Sequence, residues 1–172
     1  MVDVVDFVTR SRMMSGIRSQ NTNPELFLRK GLHSRGFRYR LHVKELPGKP
    51  DMVLPRYGAV IEVYGCFWHN HGCRYCKLPA TNTGFWENKT KGNQARDRKN
   101  LDVLIKAGWR CLIVWECAIR KSQRSPKELD AVKLVARWLR TGGQFAIIDE
   151  KGLCSPKISL KEKPCLTVSP VC

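Results

Sequence analysis

Apolar positions along this chain recur with two periods, and the changes between them mark out helices and strands. Thr22-Asn23-Pro24-Glu25 is a helix start: Thr or Asn serves as cap, Pro suits the first helical turn, and Glu25 complements the helix dipole. Leu26, Phe27, Leu28 and Leu32 supply the apolar face, and Gly36 ends the helix near residue 35. A strand is predicted over 37–41, then a turn at Leu46-Pro47-Gly48-Lys49-Pro50, a short strand over 51–54, a turn over 55–58 and a buried strand over 59–64. Residues 65–82 lack periodicity. A long polar helix follows from about Thr83 to Ala107, ended by Gly108, and Trp109 to Trp115 reads as a core strand, with Cys117 just beyond its end. Ser125-Pro126-Lys127-Glu128 has the form of a capping box, and Leu129, Val132, Val135, Ala136 and Leu139 keep helical spacing up to Gly142-Gly143. A last strand is expected over 145–148. From Lys151 onward four lysines, three prolines and three cysteines stand without a period, so residues 151–172 read as a basic tail. The order of elements predicts an α/β fold: a mixed central sheet flanked by helices, in one domain spanning 1–150.

Charge narrows the class of partner. The 172 residues carry 31 Lys and Arg against 15 Asp and Glu, a formal net charge of +16, which favours a polyanion such as nucleic acid. No apolar run approaches the length of a membrane span, and Met1 to Asp6 do not have the form of a secretory signal, so a soluble cytoplasmic protein without membrane partners is expected. In that compartment eight cysteines point to metal ligation rather than disulfides.

Four groups of residues carry candidate chemistry. Asp51, after Pro50, is followed eleven residues later by Glu62 on the neighbouring strand, so that the two carboxylates can converge on one hard cation such as Mg²⁺. The spacing is that of a PD-(D/E)xK nuclease core, with Tyr64 where that pattern has Lys. Glu62 stands in an otherwise apolar run, where an unpaired carboxylate is costly. Cys66, His69, His71, Cys73 and Cys76 place five soft or borderline ligands within eleven residues, with Cys117 available from a distant segment, and four such ligands suffice for structural Zn²⁺. Phe67 and Trp68 lie among these ligands, where stacking on bases or wedging between base pairs suits them. Phe85, by contrast, is expected to pack in the core. Lys89, Asn93 and Asp97 share one face of the long helix at spacings of four.

In combination these motifs resemble the Vsr (very short patch repair) mismatch endonucleases. The resemblance rests on Leu46-Pro47-Gly48-Lys49-Pro50-Asp51, Gly65-Cys66-Phe67-Trp68-His69, Phe85-Trp86-Glu87-Asn88-Lys89, Asn93, Arg96-Asp97-Arg98, Gly108-Trp109-Arg110, Ile113-Val114-Trp115-Glu116 and the N-terminal Thr9-Arg10-Ser11 with Met14. It covers about residues 6–148 and implies a restriction-endonuclease-like fold with one structural zinc and catalytic Mg²⁺. The implied activity is nicking of duplex DNA 5′ of the thymine of a T·G mismatch, by a monomer, with mismatch-repair proteins as further partners. Asp51 is then the principal ligand of Mg²⁺, the main-chain carbonyl of Val63 a second, His69 the general base or the group that orients the water, and Glu25 a support for the water at the metal. The implied zinc ligands are Cys66, His71, Cys73 and Cys117, while Cys76 matches no family role and is an alternative for one of the four. Phe67, Trp68 and Trp86 match an aromatic wedge. Met14, on an arm of about residues 1–20, matches a probe from the opposite groove, and Lys89, Asn93 and Asp97 match positions that read neighbouring bases or hold the reading surface. Unstacking costs less beside a wobble pair, so a wedge discriminates by deformability. The family commonly has His or Asp at position 64 and an apolar residue at 62; Glu62 is therefore expected to take over the supporting role at the cation. Two other readings compete: a restriction-type or otherwise structure-selective nuclease, and a non-catalytic zinc-dependent DNA-binding module that would have no use for Asp51, His69 and Glu25 together.

Overall fold

The computed structural model describes residues 20–79 and 82–156, together with Asp6, Val8, Thr9, Arg12 and Gly16. Its elements are α1 (Asn23–Ser34), β1 (Met52–Leu54), a 3-10 turn (Pro55–Tyr57), β2 (Ala59–Tyr64), α2 (Thr83–Lys106), β3 (Arg110–Trp115), α3 (Glu116–Arg124), α4 (Ala131–Thr141), β4 (Phe145–Asp149) and β5 (Gly152–Cys154). The strands form one sheet in the order β1-β2-β3-β4-β5. Its three central strands run parallel, and β1 and β5 are antiparallel edges. This is the mixed α/β sheet expected from the order of elements, as the restriction-endonuclease-like fold implied by the resemblance requires.

Alternation along the strands divides the core into two layers. Met52, Leu54, Ala59, Ile61, Leu112, Val114, Ala146 and Ile148 pack against α1, α3 and α4. Val53, Val60, Ile113, Trp115, Phe145 and Ile147 meet Leu101, Leu104 and Ile105 of α2 on the other face. Helix α1 approaches α4 so closely that a Cβ on Gly31 would lie 2.6 Å from a Val132 methyl, a distance only glycine permits. Register sets the site: Met52 pairs with Ile61, which puts Asp51 opposite Glu62 on the α2 side of the sheet.

Several expectations are corrected. Residues 37–41 form no strand: only Arg40 bridges to Val53, and the chain turns away at His42, whose φ is 50°. Cys117 does not extend β3 but lies in the first turn of α3, an unforeseen helix that starts directly after Trp115 and buries Cys117, Ala118, Ile119 and Ser122. Ser125 to Glu128 form a turn, and α4 is capped instead by Asp130, whose carboxylate accepts the Lys133 N–H at 2.9 Å. The sheet also continues into the supposed tail, because Gly152–Cys154 pair with β4 as β5. Phe85 is 60% exposed and forms no part of the core. Met14 and residues 157–172 lie outside the described residues.

Candidate active site and metal centre

Asp51, just before β1, turns an oxygen to the Val63 N–H at 2.7 Å, while Arg29 approaches its carbonyl at 3.4 Å. Burial, reinforced by the nearby Glu25 carboxylate, pushes Asp51 up to about 6. Glu62, across the β1–β2 pair, is pushed up to about 7 by burial, against a hydrogen bond from Tyr64. Two partly desolvated carboxylates on one face of a strand pair are costly without a cation, and hard oxygen donors in this arrangement fit a small divalent ion. The Val63 carbonyl lies on the same strand, and Val63 lines the same cleft.

Glu25 lines the same cleft and is also tied into the start of α1. Its carboxylate accepts from the Asn21 N–H (3.0 Å), the Thr22 N–H (3.3 Å) and the Thr22 hydroxyl (2.8 Å), and pairs with Arg29 at 2.8 Å. It is 3% exposed, so its first task is to hold the start of α1 against Asp51.

His69 hydrogen-bonds through Nδ1 to Asp97 of α2 at 2.5 Å, and its ring stacks on Tyr64 with centroids 4.0 Å apart and planes 5° apart. Both contacts fix the ring. A carboxylate at Nδ1 selects the tautomer that leaves Nε2 free to accept a proton. Asp51, Glu62, Tyr64, His69 and Asp97 line one cleft of 840 Å³. Asn93 donates to the Trp68 carbonyl at 2.9 Å and Gln94 to the His69 carbonyl at 3.2 Å, so α2 holds the 65–70 loop in place. Asp97, 7% exposed, is turned to this internal task, whereas Lys89 is exposed.

The cysteine-rich loop meets α3 below the cleft. The ligand atoms of Cys66, His71, Cys73 and Cys117 all lie within 4.8 Å of one another. Cys117 Sγ and His71 Nδ1 are 3.6 Å apart, close to the edge of roughly 3.5–3.8 Å that tetrahedral Zn–S and Zn–N bonds define. Soft thiolates with one imidazole suit Zn²⁺. His71 turns Nε2 towards Asp149 at 3.8 Å and stacks on Trp115 at 4.1 Å, the outer carboxylate expected to orient a ligating imidazole. Cys76 is not among these four, although its Sγ lies 3.9 Å from that of Cys73; its thiol donates to the Cys66 carbonyl at 3.0 Å and accepts from the Gly72 N–H at 3.1 Å. Trp115 joins the two centres, stacked on His71 and edge-on to Tyr64 at 5.4 Å.

Phe67, Trp68 and Trp86 form a half-buried aromatic group with T-shaped contacts at 5.1, 5.4 and 6.1 Å. Phe85 extends it outward, edge-on to Trp86 at 5.2 Å. Trp68 covers Gly65, where a Cβ would come within 3.1 Å of the indole. The sequence points to Tyr64 as a departure from its motif that could orient a water or phosphate, and to Glu116 only as part of a family motif; Asp149 is not singled out by it, and its contact is purely tertiary.

A mixed sheet bearing paired carboxylates beside a carboxylate-held histidine, with a Cys/His cluster bracing the loop between them, defines a restriction-endonuclease-like nuclease. Comparison with known proteins agrees. The family model described as "DNA mismatch endonuclease Vsr" matches residues 2–75. DNA mismatch endonuclease Vsr of Escherichia coli is 41% identical over 153 residues, covering 89% of this chain and 97% of that protein. The type II nicking enzyme V.XorIIP of Xanthomonas oryzae is 44% identical over 119 residues, 69% of this chain and 88% of the relative. V.NmeAIP of Neisseria meningitidis is 42% identical over 120 residues, 70% and 86% respectively. The chain belongs to the Vsr family of DNA mismatch endonucleases.

Proposed function

We propose that this protein is a DNA endonuclease that nicks one strand of a mismatched duplex in repair, and that it does so 5′ of the thymine of a T·G mismatch. One observation supports this most: Asp51 and Glu62 face each other across β1 and β2 in a cleft that also holds the His69–Asp97 pair and borders the Phe67–Trp68–Trp86 group.

Asp51, Glu62 and the Val63 carbonyl would hold Mg²⁺, which supplies Lewis-acid polarisation of the scissile phosphate and activation of the attacking water. His69 takes the proton of that water at Nε2 while Asp97 stabilises the resulting imidazolium. Tyr64 keeps the imidazole plane fixed and donates a hydrogen bond to Glu62. Glu25 secures the Asp51 loop through α1 and Arg29. Cys66, His71, Cys73 and Cys117 hold Zn²⁺ as a structural ion, joining the loop to α3. Met14, on the arm of residues 1–20, probes from the opposite groove, and Lys89 contacts DNA beside the wedge. The protein acts as a monomer in the cytoplasm, upstream of other mismatch-repair proteins. A strand-labelled T·G duplex should yield one product ending at the phosphodiester 5′ of the thymine; a product from the other strand or from a scattered set of positions would overturn this reading.

Glu62→Gln preserves size and removes charge. It should lower the rate at limiting Mg²⁺ about tenfold and raise the Mg²⁺ required for half-maximal activity, an effect of roughly 1.4 kcal/mol. An unchanged rate and Mg²⁺ dependence would remove Glu62 from the cation site.

Trp68→Ala should weaken mismatch selectivity more than total DNA affinity. Phosphate contacts dominate affinity, whereas the wedge tests the base stack. A loss of about tenfold in the ratio of T·G to matched binding is expected, since unstacking costs a few kcal/mol per step. Equal losses on both duplexes would make Trp68 a packing residue only.

A further inference from the structure

Beside the Cys/His cluster, three guanidinium groups gather around one phenol. Arg74 lies 5.0 Å and Arg120 5.1 Å from the centre of the Tyr75 ring, and Arg124 donates to the Tyr75 hydroxyl oxygen at 2.6 Å. The arginines are exposed and Tyr75 is half-buried. Glu116 neutralises only Arg120, at 2.6 Å. Among the described residues, neither Arg74 nor Arg124 has a carboxylate within ion-pair distance. Like charges repel, so gathering them around an aromatic ring favours an anion that bridges them.

The position of the cluster suggests which anion. Arg74 and Tyr75 directly follow Cys73, and Arg120 and Arg124 lie about one and two turns beyond Cys117. The ligands that brace the loop therefore also bring these two segments together. Glu116 makes the joint with the active site: one oxygen accepts the Cys66 N–H at 3.3 Å, the other binds Arg120, and its side chain lines the catalytic cleft. Through Glu116, Arg120 is thus one side chain removed from the cleft wall.

We propose that Arg74, Arg120 and Arg124, held around Tyr75, form a clamp for a backbone phosphate of the duplex beside the cleft. The planar guanidinium fork matches phosphate oxygens, and stacking on Tyr75 pre-orients the forks so that little rotamer freedom is lost on binding. Such a contact reads no sequence; it fixes the register of the duplex, so that the bond to be cut meets Asp51. This inference rests on the nuclease reading for its ligand.

The test uses the full-length, zinc-loaded protein with a matched labelled duplex over a range of salt concentrations and no Mg²⁺. In the Arg74→Gln/Arg124→Gln double variant, affinity should fall about tenfold. The log–log salt dependence should become shallower by about 0.9, the change expected when one phosphate is no longer neutralised. Tm and zinc content should stay unchanged. Arg137→Gln, an exposed charge on α4, should have a much smaller effect. Unchanged affinity and slope in the double variant would overturn the clamp. So would an affinity loss no larger than that of Arg137→Gln, or a fall in Tm and zinc content without a change in slope, which would make the arginines a brace for the loop. Because binding is measured on matched DNA without Mg²⁺, the clamp stands or falls separately from mismatch nicking, which the wild-type protein tests alone.

Discussion

Asp51→Ala is expected to abolish nicking of a mismatched duplex while leaving duplex binding close to that of the wild type. Removing the principal carboxylate takes away both polarisation of the phosphate and activation of water, an effect of several kcal/mol, or about a thousandfold or more in rate. Binding persists because it draws on phosphate contacts elsewhere. Stability separates this effect from simple damage to the fold. The Asp51 carboxylate accepts the Val63 N–H at 2.7 Å, so alanine leaves a partly buried donor unmet at a cost of about 1–3 kcal/mol. Asp51→Asn keeps an acceptor for that N–H and removes a desolvated charge. It should therefore lose nicking as completely as alanine, yet melt no lower than the wild type in the absence of divalent cations. Substantial nicking by either variant, measured with Mg²⁺ in excess, would remove Asp51 from the centre of the site.

Loss of the thiolate cluster should act on the fold instead. Cys117→Ser or Cys73→Ser is expected to lower zinc content and Tm together, since assembly of such a site is coupled to folding. Cys117 sits in the first turn of α3, and its N–H donates to Cys66 Sγ at 3.3 Å, so its loss uncouples the loop from the helix as well as the metal. A destabilisation of roughly 4–5 kcal/mol corresponds to about 10–20 °C for a domain of this size. The sheet and both of its packed layers remain, so a weakened fold is expected rather than an unfolded chain. Cys76→Ser should retain zinc and lower Tm only slightly, because that thiol points to the Cys66 carbonyl and the Gly72 N–H. Elemental analysis alongside thermal melting checks both. A zinc-free wild-type protein of unchanged stability would refute the structural ion, and loss in Cys76→Ser but not in Cys73→Ser would redraw the ligand set.

What could be seen in the sequence was whatever local chemistry decides. Pro24 and Glu25 announced α1 because capping is settled within a few residues. The eleven-residue interval between Asp51 and Glu62 implied a shared face because a short antiparallel pair leaves few registers. The density of ligands between Cys66 and Cys76 implied a metal, and the resemblance separated His69 from the zinc ligands, in line with its contact to Asp97.

Other features depend on packing that no short window contains. Helix α3 begins without punctuation directly after β3, and its buried residues Cys117, Ala118, Ile119 and Ser122 span less than two turns. Ser125 and Glu128 have the form of a capping box, but Asp130 serves as the cap, nearer the first buried residues of α4. β5 has three residues and is half-exposed throughout, so its sequence carries little strand signal; pairing with β4 alone makes it a strand. The partners of the site histidines are of this kind. Asp97 lies 28 residues from His69, and Asp149 reaches His71 only because β4 runs beside β3. The stacking of Tyr64 on His69 likewise follows from the fold of the 65–70 loop.

The central claim, that this cleft cuts one strand at a mismatch, is tested most directly by comparing initial rates on otherwise identical duplexes with Mg²⁺ present. The set comprises a T·G mismatch, each other single mismatch, and no mismatch, read by denaturing electrophoresis with each strand labelled in turn. The expected result is rapid nicking of the thymine strand in the T·G duplex, slower nicking at other mismatches, little in the matched duplex and none in any duplex with Asp51→Ala. Equal rates on matched and T·G duplexes, or cleavage of both strands, would contradict a mismatch-specific nicking enzyme.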